Sequence, residues 1–542
     1  TAGRDAASFP PAPGFPEAGS VTVRLGPFSR REALTYVMGR LKSDVGQRQG
    51  AADLVSDLGD EPLALALATA VIASSDLTCH DYRDLVSQRR EQVTGAPSAA
   101  SIAWAISVEH VDILSPGDAQ PLLVRAALLD GNGIPATAFG DASGELAALE
   151  QAGLVTVARD TAPPLVRMNR VIQASVRAAM PAGMRAAAAV SAADALAAAW
   201  PGSDQPEWLS RVFRSCTASL RAVADDFLWG PDQVHELLLR AGHSLDTARL
   251  TSPAARYWED LAETSARRRG PEHPGTLLIR ERLARAHLAA GQISESIEWF
   301  YRIRNDRERA LGPYHSETAD ASHDLGRALL AGGRAADAVG VLADAVGGYE
   351  RAKGPASIEA LTAREDLAAA YSAAGQPDEA ISAYRRALAD RERMQGKRHP
   401  DTLAACRRLA DAYRAAGRPK PAIALYKRVL DDAELTLGPA HPDTITIRES
   451  LGTAHYAAGR LVSAIMLYEQ VREDYTRTLG SDHERTLNTS VNLAHSYYAA
   501  GRLTDATRLL RETVERCGMT RPSADPLART ARESLANITG EQ

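Results

Sequence analysis

Five histidines recur at one register position: His273, His315, His399, His441 and His483, each with a threonine three residues on. Imidazole is a common metal ligand and general base, so the first question is whether these residues do chemistry. A metal needs three or four donors converging on one point. These histidines are separated by 42 or 84 residues and none has a second ligand nearby. The regular spacing explains their recurrence, and packing and capping at turns is the favoured role. Cys79-His80 places a thiol beside an imidazole, but neighbours on a helix diverge by about 100°. Asp225-Asp226 and Asp431-Asp432 read as solvated helix faces. No GxxxxGK[ST] phosphate cradle occurs in these residues. No catalytic residue, metal ligand or resident cofactor is therefore assigned, and the chain is expected to be non-enzymatic.

The spacing that disqualifies the histidines defines the architecture. Ala254, Ser296, Ala338, Ala380, Ala422, Ala464 and Ala506 fall 42 residues apart. Four residues on stand Trp258, Phe300, Leu342, Tyr384, Tyr426, Tyr468 and Leu510; five before the last six stand Gly291, Gly333, Gly375, Gly417, Gly459 and Gly501. A fixed period of this length means stacked helical hairpins, which usually bind other molecules. The first helix of each hairpin carries Leu-Ala pairs such as Leu367-Ala368 and Leu409-Ala410, and the glycine stops it. The second holds the small marker, which lets helices approach, and the large apolar residue one turn on. Thr or the preceding Asp of the His-Pro-x-Thr linkers is expected to cap the next helix. The linker Ser357–Ala360 lacks both key residues, which predicts a looser joint. A last helix from about Asp525 to Asn537 is expected to seal the stack.

Composition agrees. Hydrophobic residues make up 45% and charged residues 24% of 542, the balance of a cored, soluble chain. A net charge of -6 supplies no field that would draw in nucleic acid or an anionic membrane. Four scattered cysteines read as isolated buried thiols in a reducing cytoplasm. No apolar run approaches the ~20 residues of a membrane span. The sequence opens Thr-Ala-Gly-Arg-Asp, with neither Met nor a signal-peptide core, so it reads as a piece of something longer.

Ahead of the repeats, Val21–Leu25 alternates like a strand, and Ser29 with Glu32 forms a capping box. Helices near 102–108, 121–129 and 145–152 precede two short apolar runs, 154–157 and 165–168, the order of a winged helix. Its presumed recognition helix, Ser143–Glu150, has two carboxylates and no Lys or Arg, so it should repel DNA.

The repeats resemble tetratricopeptide repeats, in the 42-residue variety of kinesin light chains. The first 180 residues resemble the rear of an NB-ARC switch ATPase of the STAND class common in actinobacteria. Leu58-Gly59-Asp60-Glu61-Pro62-Leu63 resembles that family's GLPL segment, and Met168-Asn169-Arg170 stands where it has Met-His-Asp. The resemblance implies nucleotide-facing roles for Arg4, Pro62 and Asn169, with ADP or ATP bound in a longer parent protein. Asn169 replaces a histidine, so it can donate a hydrogen bond but carry no proton charge. The implied organisation is a nucleotide-domain tail or loop (1–26), helical subdomain (27–97), winged helix (98–182), helical linker (183–240) and repeat array with a capping helix (241–542). The fold class is mainly α, ending in a right-handed solenoid.

In tetratricopeptide arrays the first helices line a concave groove. Counting from the Leu-Ala pair puts Glu365, Arg407, Asp411, Arg414, Glu449, Thr453, Tyr456, His495 and Tyr498 in it, with Asn488 and Asn492 nearby. Arg suits carboxylates, Tyr supplies contact area and Asn pairs with backbone, a mixture that fits a protein or peptide ligand. Nucleic acid and membrane are not expected partners; a second copy of the chain is a candidate on activation. The implied function is the sensor portion of a STAND ATPase, and the alternative is a constitutive scaffold with an NB-ARC remnant.

Overall fold

The structure is a computed structural model that describes residues 26–42, 44–92, 97–202, 206–230, 233–520 and 525–540. The strand expected at 21–25 and Arg4 lie outside the described residues. The chain divides into two compact units, one ending at Leu250 and one starting at Thr251.

The first unit is helical: α1 (Arg30–Arg40), α2 (Ala51–Asp57), α3 (Pro62–Ala73), α4 (Cys79–Gln92), α5 (Ala99–Leu114), α6 (Ala119–Leu128), α7 (Ser143–Gln151), α8 (Arg170–Ala179), α9 (Ala182–Ala199), α10 (Glu207–Ala224) and α11 (Glu236–Thr247). The Ser29–Glu32 capping box forms as read, with Glu32 N–H on Ser29 Oγ at 3.3 Å and Ser29 N–H on the Glu32 carboxylate at 2.8 Å. Strands β1 (Ile134–Pro135), β2 (Thr156–Ala158) and β3 (Leu165–Arg167) form an antiparallel sheet in the order β1-β3-β2. The hairpin was legible in the sequence. The third strand was not, because two residues carry no alternation.

The second unit comprises α12 (Thr251–Arg269), α13 (Pro274–Ala289), α14 (Ile293–Leu311), α15 (Ser316–Ala331), α16 (Ala335–Ala352), α17 (Ile358–Ala373), α18 (Pro377–Gln395), α19 (Pro400–Ala415), α20 (Pro419–Thr436), α21 (Pro442–Ala457), α22 (Leu461–Leu479), α23 (Glu484–Ala499), α24 (Leu503–Thr520) and α25 (Pro526–Thr539). Odd-numbered helices from α13 to α23 are first helices of hairpins, and even-numbered ones are second helices. Every small marker and every large residue one turn on is buried. Burying a side chain of that size stabilises by about 1.5–3 kcal/mol, and the register repeats the gain at each joint. Each first helix ends on its glycine in the left-handed conformation, as at Gly417 (φ 68°). The next amide, Arg418 N–H, reaches back to Tyr413 O at 2.8 Å. A Cβ at Gly417 would meet open space. Backbone conformation, not crowding, selects the residue.

The expectation that Thr or Asp caps the next helix needs correcting, whereas the capping role expected of the histidines holds. The linker histidines themselves cap: Nδ1 of His273, His315, His399, His441 and His483 accepts the amide two residues on, at 3.1–3.3 Å. The threonines are buried beneath the turn, and those at 318 and 486 donate to the carbonyls of Gly312 and Gly480. A threonine three residues into the helix lies past the point where a cap acts, whereas the imidazole stands just before it.

The joint expected to be loose is also tight. Ser357 Oγ accepts Ala360 N–H at 3.3 Å, Tyr349 donates to Asp320 at 2.6 Å, and Arg364 ties Glu350 and Pro355 O together. A serine cap replaces the imidazole with little loss. Helix α25 caps the stack as expected, packing Leu527, Leu535 and Ile538 on the last core.

Candidate functional site

Two kinds of polar residue occupy the first helices, and they must be separated before a surface can be called free. The first kind is structural and recurs every 84 residues, twice the hairpin period. Arg364 and Arg448 are buried; each donates to an aspartate on its own second helix (Asp390, 2.8 Å; Asp474, 2.7 Å) and a glutamate on the preceding one (Glu350, 2.6 Å; Glu434, 2.7 Å). Arg280 takes the same place and bonds Pro271 O at 2.9 Å. Beside them, Glu281 takes Arg307 at 2.7 Å and Glu365 takes Arg391. Buried charges need such partners, since desolvation of an unpaired one costs several kcal/mol. Sequence reasoning missed this set by stopping at the single period; the 84-residue recurrence of Arg280, Arg364 and Arg448 was the available signal.

The second kind links one first helix to the next. Arg285 of α13 pairs with Asp324 of α15 at 2.6 Å, and His323 of α15 meets Asp366 of α17 at 2.8 Å. Glu365 of α17 then takes Arg408 of α19, a residue the sequence reading did not single out. In each link the acceptor or donor on the later helix immediately precedes its Leu. At α21 that position is Ser450, so α19 makes no such link to α21; between α21 and α23 polar links resume, with Thr489 donating to Glu449 at 3.3 Å.

This decides which expected groove residues are available. Glu365 is a correction: it is fully buried between Arg391 and Arg408 and faces no groove. Its carboxylate answers guanidinium groups on both sides. Asp411 accepts from Tyr426, Thr453 meets Tyr468 at 2.9 Å, and His495 meets Ser534 of α25 at 2.9 Å. Glu449 accepts from Tyr475 (3.2 Å) and Thr489 (3.3 Å), and burial raises its carboxyl pKa. Burial lowers the pKa of the His495 imidazole. These residues serve the array.

What remains lies on three successive first helices. Arg407 and Arg414 of α19, Tyr456 of α21, and Asn488 and Tyr498 of α23 are exposed, and Asn492 is half-buried. Among the described residues, the side chains of Arg407, Tyr456, Asn488, Asn492 and Tyr498 make no hydrogen bond or ion pair; Arg414 lies 3.9 Å from Asp411 and shares its Tyr426 partner. Arg407 sits where His323 and Glu365 reach forward to the next helix, and Ser450 offers it no carboxylate. The stretch presents guanidinium groups on α19, then aromatic area on α21 and amides plus a second ring on α23.

In the first unit, Pro62 opens α3 at its first position, where the missing N–H is no loss. Asn169 Oδ1 accepts Val171 N–H at 2.8 Å and so caps α8. Gln173, one turn on, is buried and donates to Ala126 O and Leu129 O at 2.9 and 2.8 Å, closing the end of α6. Cys79 is buried and its thiol is pushed up to about 11, so it is held protonated and is a poor nucleophile beside His80. No helix of the described residues is long and apolar enough to cross a membrane.

Residues 276–351, 359–435, 422–477 and 443–517 match the tetratricopeptide repeat family. A search of curated proteins returns no match. A Podosopora anserina kinesin-light-chain protein with nearly identical repeats shares 29% identity over 38% of this chain and 99% of its own, with a TM-score of 0.36. A Signal Transduction ATPase with Numerous Domains (STAND) carrying a tetratricopeptide repeat sensor, from Pyrococcus horikoshii, is similar over 95% of this chain and 69% of its own. Its identity is 13% and its TM-score 0.55, a likeness of fold.

Proposed function

We propose that this chain is the sensor portion of a STAND signalling ATPase, with the first-helix stretch α19–α23 as the surface that takes a protein or peptide trigger. Tetratricopeptide arrays bind protein partners as a class, and the P. horikoshii protein of similar fold is a signal transduction ATPase with such an array as its sensor. The observation that carries the reading is the unanswered run Arg407, Tyr456, Asn488, Asn492 and Tyr498, with the exposed Arg414 beside it, next to helices whose polar residues answer one another. In this reading the first unit is the NB-ARC-like helical and winged-helix portion, and nucleotide binds upstream in the longer protein. The trigger drives a switch only by binding one arrangement better than another; a ratio of about 10⁴ moves it from 1:99 to 99:1. One observation favours a constitutive scaffold instead: Asn169 is committed to capping α8.

Crosslinking of the full chain in native extract identifies the partner and maps its contacts. Contacts on α19–α23, and a tenfold or greater loss of affinity in Arg407→Ala/Arg414→Ala with a shallower salt dependence, are expected. Unchanged affinity would remove this surface from the function. In the longer protein, adding the partner should change nucleotide occupancy; a constant occupancy leaves the scaffold reading.

A further inference from the structure

We propose that the cavity between α22, α23 and α24 is a second binding site, specific for a single carboxylate and centred on Arg472. The cavity measures about 610 Å³ and is lined by Arg472, Arg477, Thr486, Ser490 and Arg516 together with Glu469, Glu473 and Glu512. It shares no residue with the first-helix stretch and does not depend on that reading.

The hairpin register shows that Arg472 is out of place. Eight residues after the small markers stand Ala262, Val346, Leu388, Leu430 and Val514, which serve as packing positions in their hairpins, and two arginines, Arg304 and Arg472. Arg304 is answered: Asp344, forty residues on in the next second helix, lies 3.0 Å away, and Glu308, one turn on, lies 3.8 Å away. The counterparts around Arg472 do not answer it. Glu512, equivalent to Asp344, is turned to Arg516 Nε at 3.2 Å, and Thr476 stands where Glu308 would be. Nε is closed off from solvent without a partner in both arginines, but among the described residues the rest of the Arg472 guanidinium has no hydrogen bond or ion pair either, whereas that of Arg304 has Asp344. The other cations of the cavity are engaged, Arg477 with Asp474 at 2.6 Å and Arg516 with Asp482 at 3.1 Å.

A guanidinium in a packing position, without a partner and facing a cavity, forgoes apolar packing for no internal return. A planar carboxylate is its best complement, because two parallel N–H donors meet two oxygens. The flanking Glu469, Glu473 and Glu512 limit the charge that can enter: a monoanion is tolerated, and a phosphate dianion is repelled. Glu469 is already held by the Tyr497 hydroxyl at 2.5 Å. The carboxylate can come from a small free acid or from a peptide terminus, and the test separates them.

Calorimetric titration of the full chain with acetate, N-acetylglycine, N-acetylglycinamide and inorganic phosphate reads the site directly. Binding of one or both acids, with the amide and phosphate at least tenfold weaker, is expected. Acetate binding more tightly points to a small free acid, N-acetylglycine to a chain terminus. Arg472→Leu restores the residue found at 388 and 430, so it should fold, raise Tm and weaken acid binding at least tenfold. The proposal is overturned if neither acid binds, if phosphate binds more tightly than both, if the variant binds the acids as the parent does, or if its Tm falls.

Discussion

His399 shows what a single residue contributes to an array of this kind. Its Nδ1 accepts Asp401 N–H at 3.2 Å and supplies one of the donors' partners that a helix start lacks. Caps of this type are worth about 1 kcal/mol. His399→Ala should therefore lower stability by about that amount in chemical denaturation, while His399→Ser should stay near the parent, as Ser357 does the same work at its own joint. Equal losses in both variants would show that the ring's packing, not its acceptor, matters. At the same scale, Arg407 and Glu365 occupy equivalent register positions with opposite fates. Spacing alone could place both on the first-helix face; only the identity of the neighbour, Arg408 for one and Ser450 for the other, separates a committed residue from a free one.

Helix pairs set how closely the hairpins approach. In α15, Gly326 stands where all the sister hairpins but one (Gly452) have alanine, and a Cβ there would run into the side chain of Leu342 on α16. Gly348 of α16 lies so close to α15 that an added Cβ would come within 2.8 Å of Ala319 Cβ. Gly340 is on the same helix but faces open space. Gly326→Ala should destabilise by about 1–3 kcal/mol through overpacking. Gly340→Ala should stabilise by roughly 0.5–1 kcal/mol, because alanine has less backbone freedom to lose. Urea denaturation of the two variants checks the pair, and similar effects at both sites would mean that α15 and α16 do not approach as described. This pairing also accounts for the tight joint that follows it: small residues let α15 and α16 close up, and Tyr349 and Arg364 then bridge to their neighbours.

Over the molecule as a whole, buried neutral imidazoles couple stability to pH. Burial lowers the pKa of His110, His455 and His495 below the usual 6.5. The unfolded chain therefore takes up protons first as pH falls. The stability these groups contribute is intact above pH 6.5 or so and drains away as pH drops through that value toward the folded pKa values. Tm should fall between pH 7 and 5, and His495→Gln, which can keep a hydrogen bond to Ser534, should flatten part of the slope. A Tm independent of pH over that range would contradict it. The sequence by itself determined the hairpin period, the buried small markers, the left-handed glycines and the terminal capping helix, because each is a local demand repeated at one spacing. It also singled out the first helices as the place to look for a candidate surface. Tertiary structure alone decided which members of that set are free. Whether a charge is answered depends on a residue 39 to 43 positions away on the adjoining first helix, or 26 away on the second helix, and a one-dimensional pattern holds the residue types without their pairing.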